Sequence, residues 1–208
     1  MPIRTIAHVQ TANLTRLDGR IARSRRTRAA IVDALLELLE GGNVQPTVEE
    51  IAEHAGVAPR TVFQHYPDRE RLFAAVTERQ VDRVTPLMQR IDVSRPFDER
   101  LDALAEQRRA VYELIAPVRR AALLMEPFSN HTAVTVASFR ELKRREALRV
   151  FRPELDRLDA EHRPLAEAAI GATASWSWWD ALRTQQGLDP DRATEILRRT
   201  LRALVLGC

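Results

Sequence analysis

The twenty residues 47–66 (TVEEIAEHAGVAPRTVFQHY) constrain this chain more than any other stretch, because they start a helix, stop it and begin a second one almost at once. Thr47 followed three residues later by Glu50 is a capping-box pattern, in which each side chain satisfies an orphan backbone N–H at a helix start. Val48, Ile51, Ala52 and Ala55 then share one face at helical spacing, and Gly56 stands where a left-handed residue ends a helix. Pro59 suits the first position of the next helix, and Ala52 is small enough to let that helix cross closely. Val57 and Val62 are placed to lock the corner. The spacing predicts a helix-turn-helix. An ordinary core hairpin of two helices is the competing reading, but it needs no cap, glycine and proline at these offsets.

The flanks extend the pattern: an amphipathic helix precedes the motif, and YPDRERLFAAV follows it. From Arg25 to Val76 the chain resembles the tetracycline-repressor (TetR) family of transcriptional regulators. Members commonly carry G-V-x-x-x-T-x-Y-x-H-F-x-x-K-E-x-L, against which this chain offers Gly56, Val57, Thr61, Phe63, His65, Tyr66, Arg69, Glu70 and Leu72. Phe63 replaces the usual tyrosine and so lacks a hydroxyl for phosphate. Tyr66 and Arg69 replace phenylalanine and lysine while keeping the chemistry for packing or phosphate contact. The resemblance implies that the second helix of the motif reads double-stranded operator DNA. Pro59, Arg60, Thr61, Gln64 and His65 face away from the Val57/Val62 corner, and Arg60 and Gln64 are expected to carry specificity, since Arg and Gln pair bidentately with guanine and adenine. Tyr66 and Arg69 are assigned to phosphates; Thr47, Arg25 and Arg26 complete the expected DNA contacts.

The net charge of +3 says little by itself, but its distribution is uneven. Residues 1–28 hold Arg4, Arg16, Arg20, Arg23, Arg25, Arg26 and Arg28 against Asp18 alone, a local balance of 7 − 1 = +6. Residues 1–22 read as a basic arm suited to phosphates or the minor groove, the alternative being a solvated tail. Residues 23–83 form the expected DNA-binding domain, and 84–208 a C-terminal effector-binding and dimerisation domain.

Beyond the motif the punctuation is helical, and no alternating strand pattern occurs, so an all-α fold is expected. Asp68 is placed to cap a helix reaching about residue 91, bent by Pro86. Further helices are expected over 97–116, 117–126, 129–151, 164–186 and from Pro190 onward, the last capped by Asp189. The run ELKRRE at 141–146 reads as a solvated face. The helix over 164–186 carries two apolar stripes, Leu165/Ala169/Ala172/Trp176/Trp179 and Ala168/Gly171/Ser175/Trp178/Leu182, and a helix needs only one to join its own core. The resemblance implies a four-helix dimer interface from the last two helices, here assigned to Ala168, Gly171, Ser175, Trp178, Leu182, Ile196 and Thr200, with Gly171 and Ser175 at the closest approach, the alternative being a helix wholly inside one subunit. An effector cavity for a small neutral or hydrophobic ligand is expected among Tyr112, Met125, Phe128, His131, Phe139 and Trp176.

Other functions find little support. The five histidines show no metal-ligand spacing, and neither a phosphate-cradling glycine loop nor a nucleophile elbow occurs. The one cysteine, Cys208, permits no intramolecular disulfide. No apolar run approaches the roughly 20 residues that span a bilayer, and the N-terminus lacks a signal-peptide core, so a cytoplasmic protein is predicted. The expectation is a homodimeric, ligand-responsive repressor without metal, cofactor or catalysis. The rivals are an all-helical scaffold without DNA affinity and a small helical enzyme.

Overall fold

The computed structural model describes residues 4–207, with side chains from residue 19 onward. Every regular element among the described residues is helical: α1 (Arg4–Glu40), α2 (Val48–His54), α3 (Pro59–His65), α4 (Arg69–Val84), α5 (Phe97–Met125), α6 (Asn130–Val150), α7 (Arg152–Leu155), α8 (His162–Thr173), α9 (Trp176–Asp180) and α10 (Pro190–Leu206). Short 3-10 turns follow α4 and α5, and a π-helical segment, Ala181–Gln185, follows α9. The fold is all-α, and its contacts divide it into Met1–Thr77 and Glu78–Cys208.

The N-terminal unit is built on the buried stripe of α1. Ile31, Leu35 and Leu39 recur every four residues, joined by Val32 and Leu36; α1 packs on α2 and α2 on α3, and Ile51 and Ala52 of α2, Val62 of α3, and Leu72, Phe73 and Val76 of α4 are buried in the same unit. The segment read as an arm is helical from Arg4; its side chains before residue 19 lie outside the described residues. Asp68 accepts the Arg71 backbone N–H at 2.7 Å, as expected of a cap for α4. That helix stops at Val84 rather than near residue 91, because the chain tightens into the 3-10 turn Thr85–Leu87 at Pro86.

The C-terminal unit departs from expectation in three places. First, the helices expected over 97–116 and 117–126 are one helix, α5, with Pro117 inside it. Proline removes one rung of the helical ladder, yet the helix is held on both sides by buried Tyr112, Ala116, Val118 and Ala121. In the same turn the Gln80 side chain donates to the Leu114 carbonyl at 2.7 Å.

Second, the helix expected over 164–186 is broken. α8 ends at Thr173, Ser175 turns extended (ψ 158°), and its hydroxyl accepts the Trp178 N–H to start α9. Within α8 neither expected stripe is the core stripe, although beyond the break Trp179 is buried and Trp176, Trp178 and Leu182 pack against the core. Ala166, Ile170, Thr173 and Ala174 are buried, while Leu165, Ala168 and Ala172 face solvent.

Third, the run 141–146 is not simply solvated. Lys143 and Glu146 turn inward to Arg108, which is 0% exposed and reaches the Glu146 carboxylate at 2.8 Å. A second buried pair joins Arg100 to Glu154 at 2.5 Å. Phe97 and Phe151, 5.9 Å between ring centres, pack beside it. At the far end Asp189 caps α10 through the Arg192 N–H at 2.8 Å, as the sequence predicts.

Candidate nucleic-acid interface

The reading head is assembled by local chemistry. Thr47 Oγ1 accepts the Glu50 N–H at 3.2 Å, and Glu50 Oε2 accepts the Thr47 N–H at 2.7 Å, closing the capping box. The backbone N–H of Thr47, followed by its hydroxyl, holds the Glu50 carboxyl below its ordinary value. At the other end of α2, Gly56 adopts φ +65°, a conformation that costs a side-chain-bearing residue on the order of 1–2 kcal/mol. Val57 N–H then closes onto the Ala52 carbonyl at 2.9 Å, and Pro59 opens α3. On the surface beside this turn, His54 Nε2 lies 2.8 Å from Glu37 Oε2, tying α2 to α1.

α3 presents one buried residue and a broad free face. Val62 is 2% exposed, Thr61 and His65 are half-buried, and Pro59, Arg60, Phe63 and Gln64 are exposed. Arg60 and Gln64, four apart, therefore stand together on the outer side, free to reach base edges. Arg25, Arg26 and Arg28 on α1, and Arg69 and Arg71 at the start of α4, are exposed cations of the same unit. Thr47 is exposed, but its hydroxyl is engaged in the cap.

Tyr66 does not fit its expected phosphate role. Its ring is 4% exposed, Arg28 lies over it at 4.8 Å, and its hydroxyl donates to the Arg28 carbonyl at 3.4 Å. The ring is a core residue that packs on α1 around Arg28, where the phenylalanine usual to the signature would pack. Phe63 is the residue that sequence reasoning passed over: it was weighed only for the hydroxyl it lacks, whereas its 54% exposure places an apolar ring on the reading face.

The six residues expected around an effector do not converge. Phe128 is 90% exposed in the 3-10 turn Glu126–Phe128, His131 stands exposed in the first turn of α6, and Phe139 is 41% exposed. Ser129 caps α6 through the Thr132 N–H at 3.1 Å, and this start point turns Val136, Ala147 and Val150 inward instead. Tyr112 is buried, its hydroxyl donating to the Ala174 carbonyl at 2.6 Å, and burial pushes its phenol above the ordinary range. Met125 and Trp176 are half-buried; the Arg119 guanidinium covers Trp176 at 5.2 Å, and the indole Nε1 is buried without a hydrogen-bond partner.

The expected dimer residues divide similarly. A Cβ on Gly171 would lie 3.2 Å from Arg144 Cγ, so the close approach this glycine permits is to α6 of its own chain. Ser175 is used as a cap, and Trp178 and Leu182 pack against the chain's own core. Ala168 is exposed, and Ile196 and Thr200 are half-buried on α10, which packs beside α8.

Residues 31–76 match the family model for bacterial regulatory proteins of the tetR family. The nucleoid occlusion factor SlmA of Vibrio cholerae is 32% identical over 106 residues, 50% of this chain and 52% of that protein. The chain thus spans about half the length of this curated relative. Among solved structures, a transcriptional regulator from Rhodococcus sp. Rha1 aligns with a TM-score of 0.64 at 20% identity, covering 88% of this chain and 96% of that one. A TetR transcription regulator from Haloarcula marismortui gives 0.59 at 19% identity, with 87% and 97% covered. NalD, the secondary repressor of the MexAB-OprM multidrug efflux pump in Pseudomonas aeruginosa, gives 0.55 at 23% identity, with 88% and 98% covered. The fold is shared with these proteins over most of the chain.

Proposed function

We propose that this chain, whose residues 31–76 match the family model for bacterial regulatory proteins of the tetR family, is a regulator of that kind: a cytoplasmic, sequence-specific DNA-binding transcriptional regulator acting as a repressor. The observation that carries this reading is the pairing of Arg60 and Gln64 on the exposed face of a short helix whose opposite side is pinned by Val62. Such a face offers the two side chains best suited to bidentate contacts with guanine and adenine, and nothing in its own unit covers it. The exposed arginines of α1 and α4 supply sequence-independent attraction to phosphates.

A two-fold operator calls for a two-fold protein. The exposed apolar stripe Leu165, Ala168 and Ala172 on α8, beside α10, supports a homodimer built from these two helices. A small neutral or hydrophobic effector in the C-terminal unit would then release the operator, as in ligand-responsive repressors, by shifting the two reading heads out of register with their half-sites. The repressor sign draws support from NalD, a fold neighbour that is itself named a repressor.

The test is selection from a random duplex pool by the intact chain, followed by gel-shift titration. A palindromic sequence should be enriched, and Arg60→Ala should weaken binding to it by about 1–3 kcal/mol while affecting random DNA less. Failure to retain any duplex at low salt would leave the scaffold reading in place.

A further inference from the structure

Phe63 is a large apolar side chain exposed on a face otherwise made for water or DNA. It is 54% exposed. Viewed down α3 at about 100° per residue, Phe63 falls between Pro59 and Arg60, with Gln64 beyond Arg60, and all four are exposed. Val62, which fixes the helix to its domain, lies on the opposite flank at 2% exposure. Packing within the domain therefore does not account for the outward half of the ring.

The chemistry of a phenyl ring narrows what it can meet on a duplex. It carries no charge and no donor, so a phosphate gains nothing from it. Base edges of the major groove present hydrogen-bonding atoms at every position and a single apolar group, the C5-methyl of thymine. Phe63 stands about one turn beyond Pro59 and Arg60 on the same outward arc, next to Gln64, so its ring is placed to meet methyl groups beside the bases that Arg60 and Gln64 address.

We propose that Phe63 is a specificity-determining residue that reads one thymine in each half-site by packing its ring against the C5-methyl group. This rests on the DNA-reading function proposed above. The contact is independent of the hydrogen bonds assigned to Arg60 and Gln64, and it selects thymine over cytosine at that position by the methyl alone.

Uracil tests this directly, because replacing thymine by uracil removes the methyl and keeps the pairing and every hydrogen-bonding atom. Each thymine of the duplex selected by the intact chain is replaced in turn, and the dissociation constant is measured. One position per half-site should weaken the wild-type chain about fourfold, the scale of one methyl group withdrawn from an apolar contact. Phe63→Ala should bind the thymine and uracil duplexes alike, whereas Arg60→Ala should keep the fourfold difference. A scan of the wild-type chain with no methyl-sensitive thymine overturns the proposal while leaving the regulator reading intact. So does equal sensitivity in the wild type and Phe63→Ala, whose folding is checked by its thermal midpoint. If no duplex is selected at all, both readings fall together.

Discussion

This chain breaks its helices in two physically different ways. Between α2 and α3 the break is made by adjacent residues: Gly56 at φ +65°, the Val57 N–H on the Ala52 carbonyl at 2.9 Å, and Pro59 opening the next helix. Between α8 and α9 there is neither glycine nor proline. Ala174 and Ser175 leave the helix with ordinary negative φ angles, and the Ala174 carbonyl is taken at 2.6 Å by the hydroxyl of Tyr112, 62 residues away in sequence. Glu113 then holds Trp179 Nε1 at 2.8 Å and Arg183 Nε at 2.7 Å, across the start of the π-helical segment. Burial alone would raise the Glu113 carboxyl, but the bonds from Arg183 and Trp179 outweigh it and hold the group below its ordinary value. The first kind of break belongs to its own dozen residues. The second belongs to the packing of α5 against α9, so it shifts whenever that packing shifts.

The largest effect is expected where distant residues are bound by buried charge. Arg108 is 0% exposed, and Glu146, at 12%, is the carboxylate that compensates both it and Lys143. Glu146→Gln should therefore destabilise the C-terminal unit by roughly 3–5 kcal/mol, read as a lower denaturant midpoint. Lys143→Met should act in the opposite direction. Burial, reinforced by Arg108, pulls the Lys143 ammonium down from 10.5 to about 8. A base whose folded pKa lies below its unfolded one binds fewer protons when folded, so stability rises as pH climbs from about 8 to 10.5. Lys143→Met should flatten that rise and stabilise the protein at pH 7, as urea melts at several pH values would record. No equivalent cluster of buried charge occurs among the described residues of the N-terminal unit, and reading-head variants should show no such alkaline dependence.

The same contrast explains what was legible in the sequence. Thr47, Glu50, Gly56, Pro59, Asp68 and Asp189 act on neighbours within a few residues, so their roles could be read from spacing alone. Pro117 is also a local signal, and it misled: the core around Tyr112, Ala116 and Val118 holds α5 through it. The break at Ala174 depends on a hydroxyl from another helix, and no periodicity announces it. The inward turn of Lys143 and Glu146 was equally hidden, because a run of charges looks solvated until a buried arginine stands opposite. Residues expected around an effector were chosen by size. Phe128, His131 and Phe139 proved exposed because the Ser129 cap sets the phase of α6.

A matched pair of substitutions sharpens the comparison. Tyr112→Phe removes one hydroxyl and leaves the buried Ala174 carbonyl unpaired, a loss of roughly 1–3 kcal/mol. Gly56→Ala introduces a Cβ that meets nothing within 4 Å, so only the left-handed backbone is penalised, by about 1–2 kcal/mol. Amide hydrogen exchange should separate them. Tyr112→Phe should speed exchange in residues 174–185, far from its own position in the chain. Gly56→Ala should speed it only around residues 52–62. Widespread acceleration from Gly56→Ala would mean that the reading head is not the locally determined element described above.

The smallest effect is expected at the capping box, and its parts can be told apart. Thr47→Ala deletes the hydroxyl that accepts the Glu50 N–H and should cost about 1 kcal/mol, the ordinary value of a helix N-cap. It leaves in place the Thr47 backbone N–H, which is the first cause of the lowered Glu50 carboxyl, ahead of the hydroxyl. A carboxylate whose folded pKa is depressed stabilises the fold above its unfolded pKa, and that contribution is lost as pH falls from about 4.5 through the folded value. Thr47→Ala should therefore keep most of the acid-induced loss of stability, because the alanine N–H still donates to Glu50. Glu50→Gln, which cannot ionise, should abolish that part of the pH dependence at neutral cost to the hydroxyl's own bond. Melts of both variants between pH 3 and pH 6 would check this, and an acid response equally reduced in the two would show that the hydroxyl, rather than the backbone, holds the carboxylate in place.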